Sequence, residues 1–158
     1  MALPVVLGVD PGLNETGLAL RQGDAVLRAC VVQRAEGQED GAYVTEVAEA
    51  LAEYAGEHPG LLVCVEGVEE PKWFIQGKAR PVNTRGIIGT ATVLGAVLGA
   101  FPNAVIVPPG GNGSAPLSTY PAALVSPRET TGTSGLLRHA RSAYDVAGAA
   151  LSPVLVAS

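Results

Sequence analysis

The sequence predicts a single α/β domain, residues 1–158, with a mixed sheet flanked by helices on both faces. Three observations carry this expectation. The chain opens with three short apolar runs in succession, separated by turn residues. Two longer helical patterns then alternate with two further apolar runs. A last helical pattern closes the chain.

Residues 4–10 (PVVLGVD) form an apolar run that ends in Asp10-Pro11-Gly12, which reads as a buried strand entering a turn. Residues 17–21 and 25–33 are apolar and β-branched, with Gly23-Asp24 between them, and read as hairpin strands. Across residues 44–54, Val44, Val47, Ala48 and Leu51 recur at helical spacing, with Glu46, Glu49 and Glu53 opposite. Gly56 and Pro59 end that helix. Residues 61–65 (LLVCV) are a fully apolar strand running into Glu66. Residues 67–81 read as a loop. Asn83 is placed to cap a helix over 84–101, and residues 103–107 read as a fifth strand. Residues 108–134, rich in Gly, Pro, Ser and Thr, form a long connection of the kind that usually carries function. Ser134 is placed to cap a final helix over 135–151.

A net charge of −5 argues at first against a nucleic-acid protein, but the charges are segregated. Residues 1–70 hold three basic and thirteen acidic side chains. Residues 71–144 hold seven basic and one acidic, Glu129, a balance compatible with a phosphate-binding face. Cys30 and Cys64 lie in apolar runs and read as buried free thiols of a reducing cytoplasm; no zinc-type Cys/His spacing occurs. No signal-peptide pattern is expected at the start. The uncharged stretch 87–107 is long enough to span a membrane, but Pro102-Asn103 divides it into a helix and a strand. Gly95 and Gly99 then predict close helix packing in a soluble core or at a dimer contact.

Three acids stand out by position. Asp10 ends the first strand, Glu66 ends the fourth, and Asp145 interrupts an apolar stretch of the last helix. Carboxylates are rarely buried without a partner or a metal. Parallel neighbouring strands bring their C-terminal ends together, where sites in such sheets form. Converging carboxylates repel one another unless a hard cation intervenes, and Mg²⁺ or Mn²⁺ prefers oxygen ligands. Two such ions about 4 Å apart suit phosphodiester hydrolysis.

The segments GVDPGLNETGLAL, LLVCVEGVEEP and HARSAYDVAGAAL resemble, in order, the opening hairpin, fourth strand and final helix of RuvC-type Holliday-junction resolvases. The resemblance spans nearly the whole chain. It implies a ribonuclease-H-like mixed five-stranded sheet flanked by helices, and a homodimeric, metal-dependent endonuclease that nicks four-way DNA junctions symmetrically. It places Asp10, Glu66 and Asp145 at the family's acidic positions. The family usually carries a further ligand three residues before the final aspartate; here that residue is Ser142. His139, six residues before Asp145, is about 120° away on a helix of 3.6 residues per turn, so it serves as a ligand only if the helix starts irregularly. Glu69 or water are the other candidates. Arg138 and Arg141 share the face of Asp145 and read either as phosphate ligands or as counter-charges for the acids. Lys72, Lys78, Arg80 and Arg85 are further candidate phosphate contacts, with Trp73 or Phe74 stacking at a branch point or anchoring the loop. The family's lysines before the last helix are missing, which leaves the backbone amides of Gly110, Gly111 and Gly113 for DNA.

Three rival readings bear on function. Pre-resolvase-like RNA-processing nucleases open with a similar Asp-Pro-Gly strand, so structured RNA is an alternative substrate. An actin-like kinase needs two related domains, which one short domain does not supply. A non-catalytic junction-binding module is consistent with Ser142.

Overall fold

The computed structural model describes residues 2–70, 74–79, 81–129 and 135–151, with Phe74 and Ile75 described for their backbone alone. The expected five-stranded mixed sheet forms. Strands β1 (Val5–Asp10), β2 (Glu15–Gln22) and β3 (Ala25–Gln33) make its antiparallel half. Strand β4 (Leu62–Glu66) adds parallel to β1. Strands β5 (Phe74–Ile75) and β6 (Lys78–Ala79) pair as a separate small hairpin. Strand β7 (Val105–Val107) adds parallel to β4, which gives the order β3-β2-β1-β4-β7. Helices α1 (Asp40–Glu57) and α2 (Thr84–Ala100) cover one face, and α3 (Arg138–Ala149) covers the other.

Alternation along the strands sorts the side chains between these faces. Leu7 and Val9 of β1, Leu18 and Leu20 of β2, and Val63 and Val65 of β4 join Tyr43, Val47, Leu51, Tyr54, Val93 and Val97 of α1 and α2 in the main core. The intervening positions face α3: Val6, Gly8 and Asp10 on β1, Gly17 and Ala19 on β2, and Cys64 and Glu66 on β4. This second core is made of small residues. An added Cβ on Gly8 would lie 1.9 Å from the carbonyl oxygen of Ala143, and one on Gly17 would lie 1.9 Å from that of His139. The backbone of α3 therefore rests directly on the backbones of β1 and β2.

The structure differs from the expectation at several places. Helix α1 starts four residues earlier than its periodicity implied, because Asp40, Gly41 and Ala42 carry no apolar signal. Tyr43, in its first turn, is buried and donates to the Gly12 carbonyl. The region 67–81, expected as a loop, contains the β5–β6 hairpin. The long connection contains two short 3₁₀ turns, Leu117–Thr119 and Ala122–Leu124. Asn83 caps α2 as expected, accepting from the Gly86 amide, whereas Ser134 lies outside the described residues. The expected close packing at Gly95 and Gly99 does not occur within the chain: both are exposed and nothing lies within 4 Å of a Cβ built there. That face of α2 points away from the sheet, while Val93 and Val97 turn inward. Among the described residues no helix is long and apolar enough to cross a membrane. Both cysteines are free, Cys64 buried and Cys30 partly so.

The tight seating of α3 yields a prediction. Gly17→Ala must push α3 off the sheet and is expected to cost about 1–3 kcal/mol, as overpacked cores do. Denaturant unfolding measures it. Gly95→Ala, in open space, is expected to leave stability unchanged or slightly raised by the helix propensity of alanine.

Candidate active site

The register of the parallel strands pairs Gly8 with Cys64 and Val9 with Val65. One step further, Asp10 and Glu66 lie side by side at the strand ends, both facing α3. Their carboxyls lie against each other at the floor of one cleft. Burial, then that contact with Asp10, push the Glu66 carboxyl up to about 7. Asp10 is only 7 % exposed. The pair opens into a cleft of about 270 Å³, whose walls include Arg138, His139 and Ser142 of α3 and the loop 110–112.

His139 sits in the first turn of α3, and its Nδ1 lies 2.8 Å from Asp10 Oδ2. Its Nε2 lies 3.1 Å from Glu15 Oε2. The hydrogen bond to Asp10 outweighs burial and raises the imidazole above its ordinary value. The contact depends on Gly17, the cross-strand partner of Asp10, which lets the His139 backbone settle onto β2. The 120° separation from Asp145 is real, and it turns His139 toward Asp10 instead. Ser142 is 5 % exposed and Arg138 is exposed; both line the cleft.

Asp145 is held differently. Its Oδ2 accepts from the Gly113 amide and from the Tyr120 hydroxyl, each at 2.7 Å. Burial and the nearby carboxylate push the Tyr120 phenol up to about 12, so it is a neutral donor. One residue before Gly113, Asn112 Nδ2 donates to Glu66 Oε1 at 2.8 Å. The connection after β7 thus touches two of the three acids. Sequence reasoning missed Asn112, Tyr120 and Glu15. The only signal for Asn112 was a lone amide side chain among glycines, and Tyr120 and Glu15 had none. The Gly113 amide, expected to meet DNA, is taken by Asp145.

The remaining candidates separate clearly. Arg141 does not face a phosphate: its side chain is 0 % exposed and pairs at 2.5 Å with Glu129, itself 4 % exposed. It also donates to the Leu124 carbonyl. Burial alone would raise the Glu129 carboxyl, but the amides of Leu137 and Ser126, together with Arg141, hold it below the usual carboxylate range. Glu69 is exposed on a shallow groove beside Glu66. Lys78 and Arg85 are exposed, Arg85 on a groove between α1 and α2 that Leu13 and Arg34 also line. Lys72, Trp73, Arg80 and the side chain of Phe74 lie outside the described residues.

The donor set of Asp10 and Glu66 fits a hard divalent cation. Two carboxyls placed together, one of them raised by its burial and its neighbour, are the arrangement a cation relieves. No group of three or more His, Cys, Asp or Glu side chains arranged to hold a metal is present among the described residues. Asp145 stands apart with one oxygen engaged, so the expected convergence of three carboxylates is a pair plus a tethered third.

No protein-family model matches the chain, and no curated protein matches it in sequence. Solved structures do match. Thermus thermophilus RuvC in complex with Holliday junction substrate superposes with a TM-score of 0.65 at 19% identity, covering 98% of this chain and 96% of that one. A second Thermus thermophilus RuvC structure gives 0.54 at 19% identity, covering 90% of each chain. The chain has the RuvC fold, a ribonuclease-H-like mixed sheet.

Two predictions arise here. A carboxyl raised on folding lends stability while protonated and loses it as pH climbs through its folded value. His139, also raised, acts in the same sense: its contribution is complete below its ordinary value and is lost as pH rises through the higher one. The metal-free protein is therefore expected to lose thermal stability from about pH 5 to about pH 7 as Glu66 ionises, and to go on losing it at higher pH as His139 gives up its proton, and Glu66→Gln to flatten the lower part of that fall. Thermal unfolding across pH measures both. Arg141→Ala strands a buried Glu129 charge and is expected to cost about 3–5 kcal/mol; an unchanged unfolding midpoint would contradict the buried pairing.

Proposed function

We propose that this protein is a metal-dependent endonuclease that cleaves four-way DNA junctions by paired phosphodiester hydrolysis. The observation that carries the reading is the juxtaposition of the Asp10 and Glu66 carboxyls at adjacent strand ends, under α3, on a RuvC fold. One of the structures sharing this fold is of a protein bound to Holliday junction substrate. Asp10 and Glu66 are the residues that hold a divalent cation, Mg²⁺ or Mn²⁺. Asp145 is the third ligand through its free oxygen, and two ions per site is the arrangement the chemistry favours. Such a cation, when bound, supplies Lewis acidity and lowers the pKa of water.

The chain's own residues do the rest. Glu66, whose carboxyl is raised by burial and by Asp10, would bind such a cation as its carboxylate. His139 keeps Asp10 oriented and, lying between two carboxylates, is placed to take or return a proton at Nδ1. Arg138 on the cleft wall is the contact for the scissile or a neighbouring phosphate. Lys78 and Arg85, with Lys72 and Arg80 by sequence, extend a basic track for the DNA arms, and Trp73 or Phe74 stacks at the branch point. Symmetric nicking needs two sites. The exposed row Ile88, Thr92, Gly95 and Gly99 on α2 suits an isologous contact between two copies, because its glycines allow close helix approach. A junction-binding module without cleavage is the second reading, favoured by Ser142 at the fourth-ligand position and by the engagement of Asp145.

Cleavage of a labelled four-way junction with Mg²⁺, Mn²⁺ or EDTA tests the proposal. Paired, metal-dependent nicks are expected. Asp10→Asn should lower cleavage by more than the roughly 10–100-fold that losing a supporting partner of a metal ligand costs, while junction binding persists. Cleavage unaffected by Asp10→Asn overturns the assignment; binding without cleavage in any metal supports the second reading; cleavage of structured RNA alone replaces the DNA substrate.

A further inference from the structure

The connection between β7 and α3 reaches the candidate metal site at two points that no sequence pattern marked. Asn112 Nδ2 donates to Glu66 Oε1 at 2.8 Å. Next to it, the Gly113 amide donates to Asp145 Oδ2 at 2.7 Å. The Tyr120 hydroxyl donates to the same oxygen at 2.7 Å, and it accepts from the Ala115 amide at 3.3 Å. Glu66 is on a strand and Asp145 is on the helix packed above it, so one short strap spans the two.

The strap is itself fixed. Tyr120 is 8 % exposed and packs among Ala19, Leu124, Ala140, Ala143 and Tyr144 beneath α3. Its ring meets that of Tyr144 edge-on at 6.2 Å. The phenol is thus anchored in the core, with its hydroxyl turned toward Asp145. Held by two donors on one oxygen, Asp145 keeps the other unengaged by them, and Asn112 likewise occupies a single oxygen of Glu66.

We infer that Asn112 and Tyr120 are positioning residues: the strap fixes the two carboxylates of opposite layers so that each offers one oxygen to the same divalent cation. Outer partners of metal ligands act in this way, restricting orientation and raising affinity. The inference rests on the proposed metal site, and the alternative it excludes is a strap that withholds Asp145 from the metal.

The test is a Mn²⁺ titration of the whole protein, followed by the paramagnetic resonance of free Mn²⁺, which needs neither substrate nor turnover. Tyr120→Phe and Asn112→Ala are each expected to weaken Mn²⁺ binding by roughly tenfold or more. Tyr144→Phe is the control. It removes a hydroxyl from the same cluster, one that donates to the Asp24 carbonyl at 2.8 Å, away from the acids. It is expected to leave Mn²⁺ affinity unchanged. Unfolding midpoints recorded alongside separate lost affinity from lost fold. Unaltered affinity in both strap variants overturns the inference, and so does tighter binding, which would mean that the strap competes with the metal. If the unsubstituted protein takes up no Mn²⁺, the metal site fails, and the inference with it. That outcome is distinct from a strap failure, in which the unsubstituted protein and the variants bind alike.

Discussion

Everything at this site hangs on the contact between the backbone of α3 and the backbones of β1 and β2. Gly8 and Gly17 have no side chains to hold the helix away, and Ala19, Ala140, Ala143 and Ala147 keep the remaining interface thin. A helix seated on larger residues would stand about 10 Å from the strands, the usual spacing of packed layers. His139 would then no longer meet Asp10, and Asp145 would rise away from the strand ends. The small-residue floor is a condition of the site rather than a detail of packing. It also lets α3, the shortest of the three described α-helices, bring Arg138, His139 and Ser142 to the cleft.

The second organising feature is how charge is balanced under that helix. Arg141 and Glu129 neutralise each other in the interior, and the Leu137 and Ser126 amides complete the carboxylate's shell. His139 lies between Asp10 and Glu15. Arg21 lies over the Tyr144 ring, with its charge near the exposed Asp24. Each of these groups meets an opposite charge, in the interior for Arg141 and at the surface for Arg21. The contrast is Glu66, which is held by another acid, Asp10, and by the neutral amide of Asn112. That is the arrangement a cation would complete.

The fold was legible because its signals are periodic. Residues 4–10 and 61–65 alternate between two buried faces, and α1 repeats its apolar positions through Val47 and Leu51. Asp10 and Glu66 were legible because an acid at the end of a fully apolar strand is costly to bury unless it is paired or bound to a cation. Asp145 was legible for the same reason on a helix. The hairpin β5–β6 was missed because two-residue strands leave no period to read. Asn112, Tyr120 and Glu15 were invisible because their roles exist only through contacts 18 or more residues away in sequence along an aperiodic chain, such as the 46-residue separation between Asn112 and Glu66. Arg141 shows the opposite limit. Its place on the helix was read correctly, but whether a face meets solvent or a buried glutamate depends on the loop that covers it, and no local pattern encodes that cover.

The hydrogen bond between His139 and Asp10 joins residues 129 apart in the chain. Closing so long a loop is entropically slow, and contacts of this separation form late in folding. The antiparallel hairpin of β1 to β3, by contrast, is assembled from neighbours in sequence. During synthesis the first carboxylate is in place long before the helix that orients it has been made. The geometry of the candidate site is therefore completed only when α3 docks. A partly folded or still-growing chain holds its acids without the roof over them, so any capacity to cut nucleic acid is switched on by completion of the fold and not by any step before it.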